Sequence, residues 1–341
     1  MTVFFGTVGQ KAARPLLACI ALCLGLGLGA AMHSVAQTPV VTATDYPNKP
    51  IRFVVPFPPG SGTDVGARFF SRKIQEMTGQ PVIVENRAGA NGFIAVKAVT
   101  SAPADGYTVL FGSNSTLATN VALFKQLPYD PVKDLAPVSS IMRSPIVLIV
   151  PATSPYKTLK EFVDAARTKP GQFNFASGSA AYQLMGELFA DKAGIKLVNV
   201  PYKGAPEAVN ATIAAQVDLG LSDVTAAIEL LRGGKVRALA VAAEQRLPGL
   251  LDTPTATEAG ITGFTADTWI GVAAPAGTPK AVLNKLSDLF VRILAMPETK
   301  DFYSRQSVVV MTGGQEELRL FQRDQIEVWK RIAAAAKVEL Q

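Results

Sequence analysis

Short apolar runs, many of them rich in β-branched residues, recur through the chain with helical stretches between them. The runs are IRFVVPF (51–57), PVIVE (81–85), YTVLFG (107–112), PIVLIV (145–150), FNFAS (173–177), LVNVPY (197–202), DLGLS (218–222), RALAVAA (237–243) and TWIGVAA (268–274). Each has the length of a strand. In one of the gaps, Val282, Leu283, Leu286, Leu289, Phe290, Ile293 and Leu294 recur at helical spacing. Thr278 is placed to cap that helix, and Pro279 suits its first turn. Thr158-Leu159-Lys160-Glu161 reads as a capping box ahead of Phe162 and Val163. Strands alternating with helices predict an α/β fold with mostly parallel sheets. With 341 residues and no internal repeat, the chain has room for two domains.

The first 36 residues read as a segment to be removed. Lys11 and Arg14 precede the apolar run LLACIALCLGLGLGAAM (16–32), and Ser34-Val35-Ala36 supplies small residues for cleavage after Ala36. The run is at the short end for a membrane span and carries three glycines. Residues 37–45, QTPVVTATD, form a flexible lead-in. Cys19, Cys23 and His33 all fall before the cleavage point, so the mature chain has no cysteine and no histidine. Disulfides, Ser-His-Asp and Cys-His catalysis and His-ligated zinc are thereby excluded. The full chain has 33 Lys+Arg against 27 Asp+Glu; loss of Lys11 and Arg14 leaves a charge of +4. A balance this mild and dispersed fits anionic small molecules and not nucleic acid.

The exit of the first strand, PFPPGSGTDVGAR (56–68), places Gly60, Gly62 and Gly66 between a strand and a helix. Free amides at a helix start, backed by the helix dipole, attract anions. The next strand ends at Glu85, where a dinucleotide fold places its ribose acid. Spacing therefore leaves an NAD-dependent oxidoreductase using the 60–66 loop open. Against it, Pro58-Pro59 stiffens the loop, and an exported protein meets little free NAD. Asp64 has a simpler role available, as a helix cap. An exported hydrolase is the other enzyme reading, but Ser154-x-x-Lys157 lacks the companion motifs of a penicillin-type nucleophile.

Several segments together carry a family resemblance. YPNKPIRFVVPFPPGSGTDVGAR, VIVENRAGANGFIA and ADGYTVLFG are followed in order by FNFASGSAAYQLMGELF, VPYKGAPEAVNATIAAQVDLGLSD, KVRALAVAAEQR, DTPTATEAG and TWIGVAAPAGTP. This succession resembles the Bug-type extracytoplasmic solute receptors of tripartite tricarboxylate transporters, over nearly the whole mature chain. The resemblance implies a two-lobed, periplasmic-binding-protein-like α/β fold. Each lobe would be a mixed, mostly parallel sheet flanked by helices, and two crossing strands would join them. Residues 46–146 and 268–341 would form lobe 1 and 147–267 lobe 2, with PIVLIVP and TWIGVAAP as the crossings. It further implies a monomeric periplasmic receptor, without catalytic residues, cofactor or metal, which captures a small carboxylate and delivers it to membrane transporter subunits.

Carried onto this chain, the ligand-binding residues are Phe57, Ser61, Gly62 and Thr63 from the first loop and Ser113 and Ser115 from GSNST. Lobe 2 contributes Ser177, Ser179 and Ala180 at a strand-to-helix turn, and Asp223 after DLGLS. Phe57 would pack on the ligand's carbons, the hydroxyls and amides would hold a carboxylate, and Asp223 would accept from an amine or hydroxyl. Gly62 is expected to serve an unusual backbone geometry. Asn91 and Gly92 would shape a loop bordering the cleft, and Lys203 a turn near the hinge. The chain departs from the family where Gln183 stands in place of a histidine, which puts a neutral group in the second-lobe loop; Tyr182 beside it would narrow the pocket or face the core. Intact-mass measurement of the exported protein is expected to give a soluble product beginning at Gln37; a membrane-bound product that retains residues 1–36 would contradict this.

Overall fold

The computed structural model describes residues 46–311, 313–336 and 338–341. The segment expected to be cleaved and the lead-in at 37–45 lie outside the described residues. In chain order the elements are β1 (Ile51–Val55), α1 (Gly62–Thr78), β2 (Val82–Asn86), α2 (Phe93–Thr100), β3 (Thr108–Ser113), α3 (Asn120–Leu123) and β4 (Leu135–Pro151). There follow α4 (Leu159–Thr168), β5 (Phe173–Ser177), α5 (Ala180–Ala193), β6 (Leu197–Pro201), α6 (Ala205–Ile213), β7 (Leu219–Asp223), α7 (Val224–Arg232) and β8 (Val236–Val241). The chain ends with β9 (Asp267–Pro275), α8 (Lys280–Ala295), α9 (Pro297–Ser304), β10 (Val309–Val310) and α10 (Gln315–Ala335). All nine expected strands are present, in a mixed α/β fold.

The strand order is β2-β1-β3-β9-β4-β7-β5-β6, with β8 and β10 also paired to β4. The parallel pairings join β1 to β2 and β3, and β5 to β6 and β7. Every antiparallel pairing involves β4 or β9. Along β4, residues Leu135 to Pro145 pair with β9, and Ile146 to Pro151 pair with β7 and β8. One strand, antiparallel to every partner, thus links the two groups of parallel strands, and the change of partners falls between Pro145 and Ile146. At that point Arg143 of β4 is ion-paired with Asp267 of β9.

The first half of β4 carries no apolar alternation, because its sequence is LAPVSSIMRS. Pro137 lies at a bulge, which tolerates its missing N–H. Ser139 and Ser140 are fully buried, and both hydroxyls donate to the carbonyl of Gly313, at 3.0 and 3.3 Å. The two-residue β10 lay below any sequence signal.

On one side of the first strand group, Phe53, Phe70, Phe111 and Phe290 make a fully buried aromatic cluster with ring centroids 5.2–6.3 Å apart. It fixes β1 and β3 against α1 and α8, and so sets where the loops leaving β1 and β3 emerge. The opposite face of the same strands buries Val54 and Leu110 in a second core that runs on to α5 and α10.

The capping box at Thr158 forms as expected: its hydroxyl accepts from the Glu161 amide, and the Glu161 carboxylate accepts from the Thr158 amide. Thr278 differs from expectation. Its hydroxyl donates to the Pro275 carbonyl at 2.7 Å, and α8 starts after an extended Pro279 without a side-chain cap. A tight turn at 275–278 has taken the group that the helix was expected to use. Thr158→Ala is expected to lower the unfolding free energy by about 1 kcal/mol. Because the site is remote from the loops described below, denaturant unfolding should register the change while ligand protection stays as in the wild type.

Candidate functional site

The loop from β1 to α1 is shaped by one buried carboxylate. Ser61, in extended conformation, is the N-cap of α1, and its hydroxyl accepts from the Asp64 amide at 3.3 Å. Asp64 is therefore not the cap but a first-turn residue. Its carboxylate accepts from the Gly60 amide at 3.0 Å, from Arg68 Nε at 3.0 Å and from Asn86 Nδ2 at 2.9 Å. Asn86 Nδ2 also donates to the Phe57 carbonyl at 2.9 Å. Both ends of the PFPPGSG turn are thus tied to Asp64, directly at Gly60 and through Asn86 at Phe57. Burial works to raise the Asp64 pKa, but the donors from Arg68, Gly60 and Asn86 outweigh it and hold the group below the usual carboxylate range.

Across from this turn stands a second set of strand exits. Phe57, Ser61, Gly62, Thr63 and Ser113 from one set share a cavity of about 30 Å3 with Ser179 and Asp223 from the other. That is room for roughly two waters at 10–15 Å3 each. Of the ten expected site residues these seven line it, and three do not. Ser115 turns away: its hydroxyl donates to Ser179 Oγ at 3.1 Å and accepts from the Ala181 amide at 3.3 Å. It thereby caps α5 from outside, in place of Ser179, whose own side chain makes no cap bond. Ser177 is buried behind the turn, where its carbonyl accepts from the Tyr202 amide. Ala180 opens α5 one residue beyond the wall.

Four helices begin at this wall, marked by Gly62 (α1), Ser179 (α5), Ala205 (α6) and Asp223 (α7). First-turn amides lack intrahelical acceptors, and each helix start carries about half a positive charge. No lysine or arginine lines the wall; its ionisable side chains are Asp223 and Tyr182. Gly62 needs no unusual backbone, since it lies within α1 and has no positive φ. A side-chain carbon there would sit 2.9 Å from Asp223 Oδ1, so the requirement for glycine is one of space.

Asp223 caps α7 by accepting from the Ala226 amide at 3.0 Å, and it accepts from the Tyr182 hydroxyl at 2.7 Å. Burial pushes the Asp223 carboxyl above its ordinary range. Burial and then the Asp223 charge push the Tyr182 phenol well above its own, so Tyr182 remains a donor. Tyr182 is thus a wall residue. Gln183 faces elsewhere, toward the Gln341 side chain, and puts no neutral group into the cavity.

Asn114 was not singled out, although it is the middle residue of GSNST. It is 1% exposed, lines the cavity, and its Nδ2 has no hydrogen-bond partner. The loop position was the signal for it. Met142, Thr268, Trp269 and Ile270, from β4 and β9, complete the wall. They read as ordinary strand residues in the sequence.

A larger chamber of about 340 Å3 shares Phe57, Gly178 and Ser179 with the first cavity and adds Asn91, Gly92, Lys203 and Glu207. Asn91 and Gly92 border the cleft as expected. Above it, Pro58 packs on Gly204, where a side-chain carbon would come within 2.5 Å of Pro58 Cδ. The dinucleotide arrangement is not built. Gly66 faces the core near Phe111 and Tyr303, and Glu85 pairs with Arg87 and Arg52. Among the described residues no helix is long and apolar enough to cross a membrane.

Asp64→Asn tests the loop anchor. A carboxylate held below its unfolded pKa adds stability above that pKa and loses it as pH falls through the folded value. The variant is expected to be less stable than the wild type at pH 7 and to show a flatter loss of stability from about pH 4 downward, near the unfolded aspartate pKa. Denaturant unfolding across that range checks this; parallel pH profiles would contradict it.

Comparison with known proteins identifies the family and supports the fold. Residues 67–338 match the family model described as "Tripartite tricarboxylate transporter family receptor". The chain is 33% identical over 303 residues to protein BugT of Bordetella pertussis, covering 88% of this chain and 93% of BugT. It superposes on an R. palustris protein solved with adipate with a TM-score of 0.85, at 30% identity over 87% of this chain and all of that one. MatC from Rhodopseudomonas palustris with bound malate gives a TM-score of 0.79, at 32% identity over 84% of this chain and 99% of MatC. The chain belongs to the tripartite tricarboxylate transporter receptor family.

Proposed function

We propose that this protein is a periplasmic receptor that captures a small carboxylate between two lobes and delivers it to the membrane components of a tripartite transporter. The lobes are residues 46–146 with 268–341, and 147–267. The observation that carries the reading is the cavity wall: helix N-termini converge on it without a cationic side chain, and the buried Asn114 amide offers it a spare donor. A helix start alone is weak support for a site, but a buried unpaired donor beside several of them calls for an acceptor. The adipate and malate in the two Rhodopseudomonas relatives support a carboxylate as that acceptor.

Capture is division of binding energy between contacts and lobe closure. Gly62 and Thr63 amides, the Thr63 hydroxyl and Asn114 hold the carboxylate. Preorganised dipoles bind an anion without a counter-charge and so allow release to a transporter. The protein acts as a cleaved, exported monomer and performs no turnover.

A thermal-shift screen of the mature protein against mono-, di- and tricarboxylates, amino acids and aromatic acids identifies ligands, and calorimetry then tests the site. Thr63→Ala is expected to weaken binding by about 1–3 kcal/mol, the range for hydrogen bonds to charged groups. Gly62→Val should do more, because its side chain meets Asp223 and holds the lobes apart. Lys203→Ala should matter least, since Lys203 borders only the outer chamber. Abolished binding in Lys203→Ala with Gly62→Val intact would move the anion to a salt bridge and out of this cavity. Ester or glycoside turnover by the wild type would point to a hydrolase.

A further inference from the structure

Away from the cavity, the end of α9 is closed by a serine where glycine is the usual choice. The Val308 amide donates to the Tyr303 carbonyl at 3.1 Å and the Ser307 amide to the Ser304 carbonyl at 2.9 Å, the two bonds that end a helix on a left-handed residue. That residue is Ser307, with φ +55°. Its backbone is strained where a glycine would not be. The hydroxyl, however, has a partner. Ser307 is 7% exposed, and its Oγ accepts from the Gly249 amide at 2.8 Å. Gly249 lies between β8 and β9, just after Leu247, which is buried with Val224 and Ile228 of α7 and Val241 of β8. The bond therefore runs from lobe 1 to lobe 2, and neither residue lines the inner cavity or the outer chamber. Beside it, Arg232 Nη2 at the end of α7 reaches the Arg305 carbonyl at 3.5 Å.

Both partners are shaped for this contact. Gly249 has no positive φ, so its backbone does not demand glycine. A side-chain carbon there would stand 2.6 Å from Ser307 Oγ, so the bare α-carbon is what lets the hydroxyl approach. Ser307 in turn stands two residues ahead of β10, whose Val309 and Val310 pair with Arg143 and Met142 of β4. The hydroxyl is thereby fixed to a crossing strand. A bond of 2.8 Å is lost once the two segments separate by about 1 Å. We propose that Ser307 is a positioning residue for ligand capture: its hydroxyl clasps Gly249 when the lobes are closed, and so sets part of the affinity from outside the pocket. The left-handed strain lies within lobe 1 and is the same whether the lobes are open or closed. It cancels from the closing equilibrium, whereas the bond between lobes does not. This rests on the two-lobe capture reading above.

Ser307→Gly separates the two contributions, because it removes the hydroxyl and the strain together and keeps the helix end. Isothermal titration is run with adipate, with malate and, should both fail, with the tightest carboxylate of the screen. Ser307→Gly is expected to bind about two- to tenfold more weakly than the wild type, the range of one hydrogen bond. Small-angle scattering of the unliganded variant should give a larger radius of gyration than that of the wild type. Gly249→Ala should weaken binding as well, since its new carbon turns the hydroxyl away or parts the segments. The double variant Gly249→Ala/Ser307→Gly should bind no more weakly than Ser307→Gly alone, because both changes act on one bond. A merely structural role for Ser307 would alter unfolding and leave affinity and scattering as in the wild type; that result overturns the clasp and leaves carboxylate capture standing. Losses that add in the double variant overturn it too. Failure of every carboxylate with the wild type overturns the capture reading, and the scattering comparison then decides the clasp by itself.

Discussion

The pairing of β4 with β9 is the constraint on which the arrangement of the cleft depends. β4 is hydrogen-bonded to β9 along its first part and to β7 and β8 along its last. Every loop that reaches the cavity leaves a strand whose position is referred, through neighbours, to this pair. The Arg143–Asp267 ion pair lies where β4 changes partners. Burial raises the Asp267 pKa although the Arg143 charge works against it, as expected of an acid held at a packed crossing. Both strands contribute wall residues to the cavity, Met142 from one and Trp269 from the other.

Much of this was legible in the sequence because the inner strands, such as β1, β3 and β7, are buried on both faces, and such strands read as continuous apolar runs. The reading failed where burial was achieved by polar groups. Ser139 and Ser140 break the pattern of β4, yet they are as buried as any valine because a single carbonyl, that of Gly313, accepts from both. That carbonyl lies more than 170 residues away, and no local pattern reports it. Thr278 failed for the opposite reason: two local uses competed for one hydroxyl, and the turn won.

The site was legible by position more than by chemistry. Strand exits located the loops, and seven of ten chosen residues reach the cavity. Two of the differences share a cause. Ser113, Asn114 and Ser115 are consecutive and polar, but the turn after β3 sends Ser115 to cap α5 and leaves Asn114 facing inward. Gly62 lines the cavity, but not for the backbone geometry expected of it, since the demand for a bare α-carbon comes from Asp223, 161 positions later in the numbering. Tyr182 and Gln183 differ by one residue, which on a helix is a rotation of about 100° and separates a wall residue from one facing outward.

Trp269 has a practical side. The chain contains two tryptophans, and one of them stands in the cavity wall on a crossing strand, its indole N–H donated to Gln325 of α10 at 3.2 Å. The other, Trp329, is also on α10, buried in the core beside the groove that Arg143 and Asp267 line. Both indoles thus stand near the Arg143–Asp267 pair, and of the two only Trp269 lines the cavity. The protein carries its own optical probe: a Trp329→Phe background would report occupancy from a single emitter, with no dye attached and no cysteine introduced.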